Sequence, residues 1–370
     1  MIKVCHVTSA HHRYDVRVFR KECATLAKAG YDCYLLVNDT LKDEINEGVK
    51  IRSTGFMPSS RKERFLKSHK YLLKKMTDID ADIYHFHDPD LLSLASKMKK
   101  RGKKVIFDFH ENVSEQIKDK EWIPSIIRNF IRVAYDQYEK FYAKKFNCLI
   151  TVSPNIVEKL KKENKNVFMV TNYPIVDNVF KEPEFKKKNV CFAGGISEQW
   201  CHESILDAIK DIHGCRYILA GNADNNYMEK LKRKLAWEKT EYLGKIEFEK
   251  VKDIYADSMA GLALNISSQV GKTGTLGNTK LFEFMLAGIP VICSDNELWK
   301  KIIDENKCGV VVNPGNVHDI KDAIEYVVNN AEDAKKMGMN GRKAAIEKFN
   351  WSKEAQKLCK LYFQLEKHIS

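Results

Sequence analysis

Several patterns that define large classes of protein are missing from this 370-residue sequence. No window holds roughly 18 consecutive apolar residues, so we expect no membrane-spanning helix. The ten cysteines form no CxxC pair and several lie in apolar runs, which predicts buried free thiols in a reducing compartment rather than disulfides or a zinc site. The opening MIKVCHVTSA reads as a strand and lacks the long apolar core of a signal peptide. We therefore expect a cytoplasmic protein.

Two nucleotide-binding motifs are absent as well. Gly271-Lys272-Thr273 has the ending of a P-loop, but Ile266 stands where that motif needs its first glycine. No GxGxxG follows the first predicted strand, which disfavours a dinucleotide-dependent oxidoreductase.

Positive charge is in excess, with a formal net charge of +12 and a sequence pI of about 9.0. A basic surface suits nucleic acid, anionic lipid or an anionic substrate. The sequence has no helix-turn-helix, zinc-finger or RNP signature and its charge is dispersed, so we expect no nucleic-acid partner.

Short apolar runs alternate with helical patterns along the chain. Such runs, rich in β-branched or aromatic residues, predict strands buried on both faces of a parallel α/β sheet. In the first half the runs are Lys3–Thr8, Tyr31–Val37, Ile83–His87, Lys104–Phe109, Cys148–Val152 and Val167–Thr171. After a polar, proline-marked linker the pattern restarts at Asn189–Ala193, Tyr217–Ala220, Tyr242–Leu243, Gly261–Asn265, Pro290–Ser294 and Gly309–Val312. We expect two α/β domains with about six strands each.

The segment from Asn265 to Asp295 predicts an anion-binding site. A strand is followed by a loop of small residues and then by a helix that begins around 278–280 and stops at Gly288. Backbone N–H groups of such a loop, with the helix N-terminus, suit phosphate oxygens. Lys280 in the first helical turn is unfavourable unless an anion lies nearby, and Glu283 on the same face suits ribose hydroxyls. A surface loop carrying a simple Lys–Glu pair is the alternative.

The run NTKLFEFMLAGIPVICSD resembles the signature helix of family 4 glycosyltransferases, which have the GT-B fold. Other stretches fit the same family in order: HHRYDVRVFRKECATLAKAGYD, DIYHFHDPDLL, VIFDFHENV, LITVSPNIVEKL, VTNYP, VCFAGGISEQW, YLGKIEFEKVKDIYADS and the tail FNW…LYFQL. The resemblance implies an α/β protein of two Rossmann-like domains facing a central cleft, with the C-terminal helix packing back on the first. It implies an acceptor-binding domain of residues 1–172 plus 351–370 and a nucleotide-sugar donor-binding domain of residues 173–350.

The resemblance also implies a donor site in the second domain. Glu283 matches the second Glu of the family's E-x7-E motif, which binds ribose, and Lys280 matches a lysine that contacts the diphosphate. The remaining implied donor-binding residues are Gly194, Gly195, Gly244, Lys245, Ile246, Thr275, Leu276, Gly277, Asn278 and Thr279. Two departures concern this site: Thr275 replaces the first Glu of the motif, and the loop after Gly195 lacks the usual Arg and Lys.

His110 matches a first-domain histidine that meets the transferred sugar, so the implied catalytic residues are His110, Lys280 and Glu283. A core histidine bonded to backbone is the alternative for His110. The family implies retention without an enzyme nucleophile, a metal or another cofactor. Asp88-Pro89-Asp90 looks like the metal-binding DxD of other transferases, but Asp88 is more simply a helix N-cap before a proline. A zinc site from His11, His12, His85, His87 and His110 is the weaker alternative.

Acceptor binding is expected at the same edge of the first domain, from His11, Asp15, Arg17 and His87, although Asp15 is equally well explained as a helix N-cap. Arg61–Met76 predicts an amphipathic helix with Lys and Arg on one face, which suits an anionic membrane surface. Its alternative is a solvated helix packed on the core. A second apolar stretch runs from Trp122 through Ile131.

The sequence thus predicts a hexosyltransferase that moves a sugar from a nucleotide-sugar to a glycan or lipid-linked acceptor. Among nucleotides the family favours UDP. Assembly of cell-surface polysaccharide or lipopolysaccharide, at the inner face of the cytoplasmic membrane, is the expected setting. A sugar-nucleotide epimerase of the same fold and a non-enzymatic nucleic-acid-binding protein are the alternatives.

Overall fold

The computed structural model describes residues 1–120, 122–176 and 180–367. The chain divides into two compact units, one of Met1–Asn172 with Trp351–Ser370 and one of Tyr173–Asn350. Within the described residues, no helix has the length and hydropathy that crossing a membrane requires.

The first unit is built on an eight-stranded sheet of order β3-β4-β2-β1-β5-β6-β7-β8. All pairings are parallel except that of β3 with β4, which is antiparallel. The strands are β1 Lys3–Val7, β2 Asp32–Val37, β3 Glu44–Asn46, β4 Val49–Ser53, β5 Ile83–Phe86, β6 Lys104–Phe109, β7 Cys148–Thr151 and β8 Val167–Met169. Six of them coincide with predicted apolar runs.

The hairpin of β3 and β4 was not predicted. β3 has three residues and no buried side chain, and β4 alternates buried and half-buried positions. Such short, half-polar strands, one at the sheet edge and one next to it, give no continuous apolar run, so the expectation of about six strands for this domain was wrong by two.

Helices cover both faces of this sheet. A π-helical segment, Val16–Cys23, continues as α1, Ala24–Lys28. The others are α2 Arg61–Ile79, α3 Leu92–Lys100, α4 Val113–Gln116, α5 Ser125–Ala143 and α6 Pro154–Lys161, with short 3-10 turns at Pro89–Leu91 and Ile117–Asp119.

The terminal helix α14, Trp351–Glu366, belongs to the first unit, as expected. Leu358, Leu361 and Tyr362 are buried in the core between α14 and the sheet. The Trp351 indole N–H donates to Thr25 Oγ1 at 3.0 Å. Residues 368–370 of the predicted terminal helix lie outside the described residues.

The second unit has a six-stranded parallel sheet of order β11-β10-β9-β12-β13-β14. Its strands are β9 Asn189–Ala193, β10 Arg216–Ala220, β11 Thr240–Gly244, β12 Ala260–Ala263, β13 Val291–Ser294 and β14 Gly309–Val312. Its helices are α7 His202–Ile209, α8 Asn225–Lys232, α9 Phe248–Ala256, α10 Thr279–Ala287, α11 Glu297–Asn306, α12 Val317–Asn329 and α13 Ala331–Glu347, with 3-10 turns at Glu198–Trp200 and Leu235–Lys239. All six runs predicted here are strands.

Two parallel-sheet, Rossmann-like α/β units confirm the predicted fold class. All ten cysteines carry free thiols and nine are buried, as expected from their places in apolar runs. In a doubly wound sheet, ligands bind at the carboxyl ends of the strands. The predicted site residues are therefore expected at that edge of each sheet.

Candidate functional site

Three glycines lie side by side at the carboxyl edge of the second sheet. Gly194 follows β9, Gly221 follows β10 and Gly244 ends β11. The Gly221 N–H donates to Gly244 O at 2.7 Å, and a Cβ on Gly221 would stand 1.7 Å from Gly194 O. Gly221, with φ +137°, was not among the predicted residues. The backbones come this close because no side chain stands between them, which leaves a smooth floor of peptide groups.

Lys280 lies over that floor. Helix α10 begins after Asn278, whose Oδ1 accepts from the Lys280 N–H at 3.0 Å. Lys280 Cε is 3.0 Å from the position that a Cβ on Gly194 would take. The predicted phosphate lysine and the predicted donor-binding glycine are therefore in contact.

Glu283 holds the Lys280 side chain. Lys280 Nζ donates to Glu283 Oε2 at 2.7 Å, and the Tyr255 hydroxyl donates to the same oxygen at 3.2 Å. The side chains of Lys280 and Glu283 are each 18 % exposed. The Lys–Glu pair of the alternative interpretation is thus present, but it lies at the glycine floor rather than on an isolated surface loop.

The loop before α10 is shaped by its own small residues. Thr275 Oγ1 accepts from the Gly277 N–H at 3.0 Å, and the Trp299 indole N–H donates to Thr275 O at 2.7 Å. A Cβ on Gly274 would stand 2.0 Å from Asn296 Oδ1. Thr275, at the position of the family's first Glu, therefore has a turn-forming role here. Leu276 is buried, while Gly277, Asn278 and Thr279 are half-buried at the start of the helix.

The remaining predicted donor residues are open to solvent. Gly195 and Lys245 are exposed and Ile246 is half-buried. The loop after Gly195 forms the short 3-10 turn Glu198–Trp200, and Gln199 O accepts from the Ile266 N–H at 3.0 Å. No cation of this loop reaches the site, because the loop has none.

His110 lies at the carboxyl end of β6 in the first unit, in a small pocket. The pocket lining includes His87, Asp108, Glu111, Tyr135 and Glu139. His110 Nδ1 is 3.7 Å from Asp108 Oδ2, so Asp108 faces the imidazole. This arrangement differs from the core histidine of the alternative interpretation, because His110 lines a pocket.

His11 meets His110 edge-on, with ring centroids 5.5 Å apart. Its Nδ1 is 3.1 Å from Asp15 Oδ2 and its Nε2 is 3.6 Å from Asp88 Oδ1. Burial lowers the pKa of His11, but the hydrogen bond with Asp15 and the charge of Asp88 outweigh burial and raise the pKa to about 9. His11 is therefore a cation beside His110 at neutral pH.

Asp15 also caps the first helix, as its alternative interpretation predicted. Its side chain accepts from the N–H groups of Arg17 and Val18, each at 2.9 Å. Burial opposes ionisation of Asp15, but the contact with His11 lowers its pKa below the usual range.

Arg17 lies deeper than the predicted acceptor contact requires. It is buried, with Nη2 2.8 Å from Asp108 Oδ2 and Nε 3.2 Å from Glu22 Oε1. Burial raises the pKa of Glu22 to about 8, against the opposing charge of Arg17. Sequence patterns did not single out Glu22 or Asp108. Each is a charged residue within an apolar run that forms a helix or a strand, and that position was the only indication available from the sequence. Arg17 therefore holds the buried carboxylates of Asp108 and Glu22 in place beneath the carboxyl edge of the first sheet.

His87 is also buried, beneath His110. Its Nε2 is 2.9 Å from His6 Nδ1, and its Nδ1 faces Asp108 Oδ2 at 3.5 Å. The five-histidine zinc site is not formed as predicted, because His12 is exposed and its Nδ1 accepts from the Tyr14 N–H. His6, in β1, instead lies beside His87, and the sequence patterns did not predict this neighbour.

Asp88 precedes the 3-10 turn Pro89–Leu91, as predicted, but its side chain makes no capping bond. Asp88 Oδ2 instead accepts from the Thr8 hydroxyl at 2.6 Å and the Ser9 N–H at 2.7 Å. The Ser9 hydroxyl donates to Asp90 Oδ2 at 2.8 Å. The interpretation of Asp88 as a side-chain N-cap was wrong, because the loop after β1 offers closer donors.

The predicted amphipathic helix is split between core and surface. In α2, Leu72 and Met76 are buried, while Phe65 and Leu66 near its start are exposed. The second apolar stretch is more exposed: Trp122, Ile126 and Phe130 are 74 %, 94 % and 75 % exposed, whereas Ile123 is buried. The first unit thus carries an apolar surface at the starts of α2 and α5.

Comparisons with known proteins agree with these two units. Residues 16–172 match the family described as Glycosyltransferase Family 4, and residues 176–344 match Glycosyl transferases group 1. An uncharacterized glycosyltransferase of Methanocaldococcus jannaschii is 25% identical over 243 residues. The match spans just under two thirds, 65%, of the length of each chain. A phosphatidyl-myo-inositol mannosyltransferase of Mycobacterium leprae is 21% identical over 80% of this chain and 76% of its own.

Solved structures share the whole fold at low sequence identity. Sucrose-phosphate synthase from Thermosynechococcus elongatus superposes with a TM-score of 0.82 at 16% identity, covering 100% of both chains. HepE of Anabaena, in complex with UDP and glucose, gives 0.74 at 11% identity, covering 98% of this chain and 100% of that one. WaaG, a glycosyltransferase involved in lipopolysaccharide biosynthesis, gives 0.72 at 12% identity, covering 96% and 98%.

Proposed function

Because the chain belongs to the family 4 glycosyltransferases of GT-B fold, we propose that it transfers a hexose from a UDP-sugar to a lipid-linked or glycan acceptor. The proposal includes retention of the anomeric configuration, independence of a metal ion, and a role in assembling cell-surface polysaccharide or lipopolysaccharide. The observation that carries it is the contact of Lys280, paired with Glu283, with the glycine floor at Gly194.

The chemistry follows from the charge that develops during transfer. The departing nucleoside diphosphate gains negative charge, and fixed cationic and N–H donors stabilise it. Lys280 Nζ and the first N–H groups of α10 other than that of Lys280, which Asn278 caps, are the donors that this unit offers. Glu283 then suits a ribose hydroxyl, and the open loop at Lys245 suits the base.

Two further features support the finer parts of the proposal. The carboxylates of Asp88 and Asp90 are engaged by Thr8 and Ser9, so the DxD-like pair is not presented to a metal-bound diphosphate. His110 is proposed to orient the transferred sugar, with the His11 cation beside it. The acceptor class draws support from the names of the mycobacterial mannosyltransferase and of the lipopolysaccharide enzyme, and the UDP preference from the HepE complex.

Thermal unfolding against a panel of UDP- and GDP-sugars tests the donor. A ligand at about 100 times its Kd stabilises by roughly 2.7 kcal/mol, which is a clear melting shift. We expect one UDP-sugar to give that shift and Lys280→Ala with Glu283→Ala to abolish it. The exposed pair Glu229 and Lys232, also three residues apart, provides the matched double-alanine control. If no nucleotide shifts the melting curve, the donor proposal is wrong.

Transfer itself is tested with radiolabelled donor and a membrane lipid extract as acceptor. We expect a labelled glycolipid whose new linkage, by NMR coupling constants, keeps the donor's anomeric configuration, and whose yield does not rise on addition of Mg²⁺ or Mn²⁺. If the protein isomerises the donor in the absence of an acceptor, the epimerase alternative is favoured. If it binds DNA in a salt-sensitive way and binds no donor, the nucleic-acid-binding alternative is favoured.

A lipid-linked acceptor would bring the first unit to an anionic membrane. The apolar side chains of Trp122, Ile126 and Phe130 are exposed, and Arg128 and Arg132 lie on the same helix. Apolar side chains flanked by basic ones suit the interface of an anionic bilayer. This surface of α5, more than the predicted Arg61–Met76 helix, has the exposure that insertion requires.

Flotation with vesicles of phosphatidylglycerol and phosphatidylcholine tests this membrane contact. We expect the protein to float with anionic vesicles only, and Ile126→Ser with Phe130→Ser to abolish flotation. Leu235→Ser, at an 87 % exposed leucine of the second unit, is the matched control. Equal flotation of the double variant and the wild type would remove α5 from the proposal.

A further inference from the structure

Four potential metal ligands meet in the interior of the first unit. His6 on β1 stands in register with His85 on the neighbouring β5, His87 lies two residues further on the same face, and Glu22 reaches the group from the π-helical segment. All four side chains are completely buried, and their ligand atoms lie within 4.8 Å of one another. The proposed transfer reaction uses none of these four side chains directly.

Neither carboxylate oxygen of Glu22 has a hydrogen-bond partner. Oε1 faces Arg17 Nε at 3.2 Å, but that N–H donates to Asp108 Oδ2, and Oε2 makes no hydrogen bond either. Oε2 lies instead 3.9 Å from His6 Nδ1, 3.7 Å from His85 Nδ1 and 4.0 Å from His87 Nε2. A cation bridging these atoms would offset the desolvation of the carboxylate, which without a cation keeps its proton more readily than an exposed glutamate.

An ion and a water molecule require different spacings of the atoms that surround them. Metal–ligand bonds of roughly 2.1 Å set tetrahedral ligand atoms about 3.4 Å apart. A bridging water with hydrogen bonds of roughly 2.8 Å sets them about 4.6 Å apart. Here His6 Nδ1 to His87 Nε2 is 2.9 Å, the three distances from Glu22 Oε2 are 3.7–4.0 Å and no pair of ligand atoms is more than 4.8 Å apart, so a small contraction of the group brings it to the spacing of an ion.

We propose that His6, Glu22, His85 and His87 bind a divalent transition-metal ion, Zn²⁺ foremost, in a closed structural site. Three imidazoles and one carboxylate are borderline ligands that suit zinc in tetrahedral geometry. Glu22 and Asp108 supply two negative charges against the three positive charges of the ion and Arg17, which leaves this buried group with one excess positive charge. With four protein ligands and no exposed position, the ion has no open coordination site for substrate.

The groups around the ligands are those that metal-binding histidines need. Binding through His87 Nε2 leaves Nδ1–H facing Asp108 Oδ2 at 3.5 Å, and binding through His6 Nδ1 leaves Nε2–H facing the Tyr362 hydroxyl oxygen at 3.3 Å. Such partners fix the tautomer and the orientation of a ligating imidazole. The Tyr362 hydroxyl lies 2.9 Å from His85 Nδ1, and ligation by that nitrogen replaces this bond.

The site joins elements that are far apart in the sequence. It connects β1, β5 and the π-helical segment and, through Tyr362, reaches the terminal helix α14. Asp108, which faces both His87 and His110, would be fixed by the same ion. The role is therefore to stabilise the floor under His110, and the donor site of the second unit is not involved.

Metal content of the untagged full-length protein, purified with zinc in the medium and dialysed, tests the proposal. We expect about one zinc per chain by mass spectrometry, and the tetrahedral visible spectrum of cobalt after exchange. Glu22→Gln is expected to lower zinc affinity at least tenfold and to lose the cobalt spectrum. Asp108→Asn removes the carboxylate that faces His87 and also binds Arg17, so its binding is measured below its own unfolding midpoint, where it should be weakened about 10- to 100-fold with the spectrum kept.

His202→Gln is the matched control, since His202 is a buried histidine outside the cluster, bonded to the Tyr217 hydroxyl at 2.8 Å. It should bind zinc like the wild type. A folded wild-type protein that holds no zinc and gives no cobalt spectrum would overturn the proposal. So would equal zinc binding by Glu22→Gln and the wild type, because the ion would then lie elsewhere.

Discussion

Lys280 stands directly over Gly194: its Cε lies 3.0 Å from the position that a Cβ at residue 194 would occupy. Gly194→Ala should therefore displace the lysine from the predicted diphosphate position, and its Cβ would also stand 3.2 Å from the buried ring of Phe192. We expect at least a tenfold loss of affinity for the nucleotide-sugar, with a loss of unfolding free energy of about 1–2 kcal/mol. Isothermal titration and urea unfolding measure the two. Unchanged affinity in the alanine variant would mean that Lys280 does not act from this position.

For Gly221 we predict that substitution lowers the stability of the fold itself. A Cβ at this residue would stand 1.7 Å from Gly194 O, and its φ is +137°. Gly221→Ala must separate β9 from β10, so we expect it to destabilise the protein by more than about 3 kcal/mol or to prevent folding. Gly195→Ala, with no atom within 4 Å of the added carbon, is the control and should unfold like the wild type in urea. A stable Gly221→Ala variant would contradict the close packing of these strands.

Asp108 is the partner of a buried arginine, and its loss should be costly. Asp108→Asn leaves Arg17 with Glu22 as its remaining carboxylate, and breaking a buried ion pair costs about 3–5 kcal/mol of unfolding free energy. Asp253→Asn removes the carboxylate of the exposed pair with Lys181 and should cost under about 1 kcal/mol. Guanidinium unfolding of both variants checks the difference. Equal small effects would show that Arg17 does not depend on Asp108.

Elements with a strong local sequence pattern could be predicted, and elements without one could not. Apolar runs such as Lys104–Phe109 identified strands because a buried parallel strand is apolar on both faces. The helix start at Asn278 and its end at Gly288 were also correct, since capping residues act locally. The β3–β4 hairpin was missed because an edge strand has no such run.

The site residues divide in the same way. Lys280, Glu283 and His110 were predicted because they occupy motif positions beside loops, and their roles stay predictions. Glu22 and His6 were missed, because an analysis of hydrophobic periodicity assigns a polar residue in an apolar run to the solvent-exposed side or ignores it. Their partners come from distant elements, and only the fold brings them together. A titratable residue inside a run that predicts a fully buried strand, as with His6 in Lys3–Thr8, is the signal that was available.

His110 should affect turnover more than donor binding. It lines a pocket at the end of β6 and is proposed to meet the transferred sugar rather than the nucleotide. We expect His110→Ala to lower kcat by roughly 100-fold, the scale of one lost transition-state contact, and to keep the nucleotide-induced melting shift. His12→Ala, at an exposed histidine of the same edge, should retain full turnover. Loss of the melting shift together with activity would instead place His110 in nucleotide binding or folding.

His11 should make stability depend on pH in the alkaline range. Its folded pKa of about 9 exceeds the ordinary value of 6.5, because Asp15 and Asp88 outweigh the effect of burial. A raised pKa means that the stabilising contribution is complete below pH 6.5 and is lost as the pH rises through 9. The unfolding free energy of the wild type should therefore exceed that of His11→Gln by on the order of 2 kcal/mol at pH 6. Urea unfolding from pH 6 to 10 should show this difference shrinking toward zero. A difference that stays constant across that range would mean that His11 is neutral in the folded protein and that no cation stands beside His110.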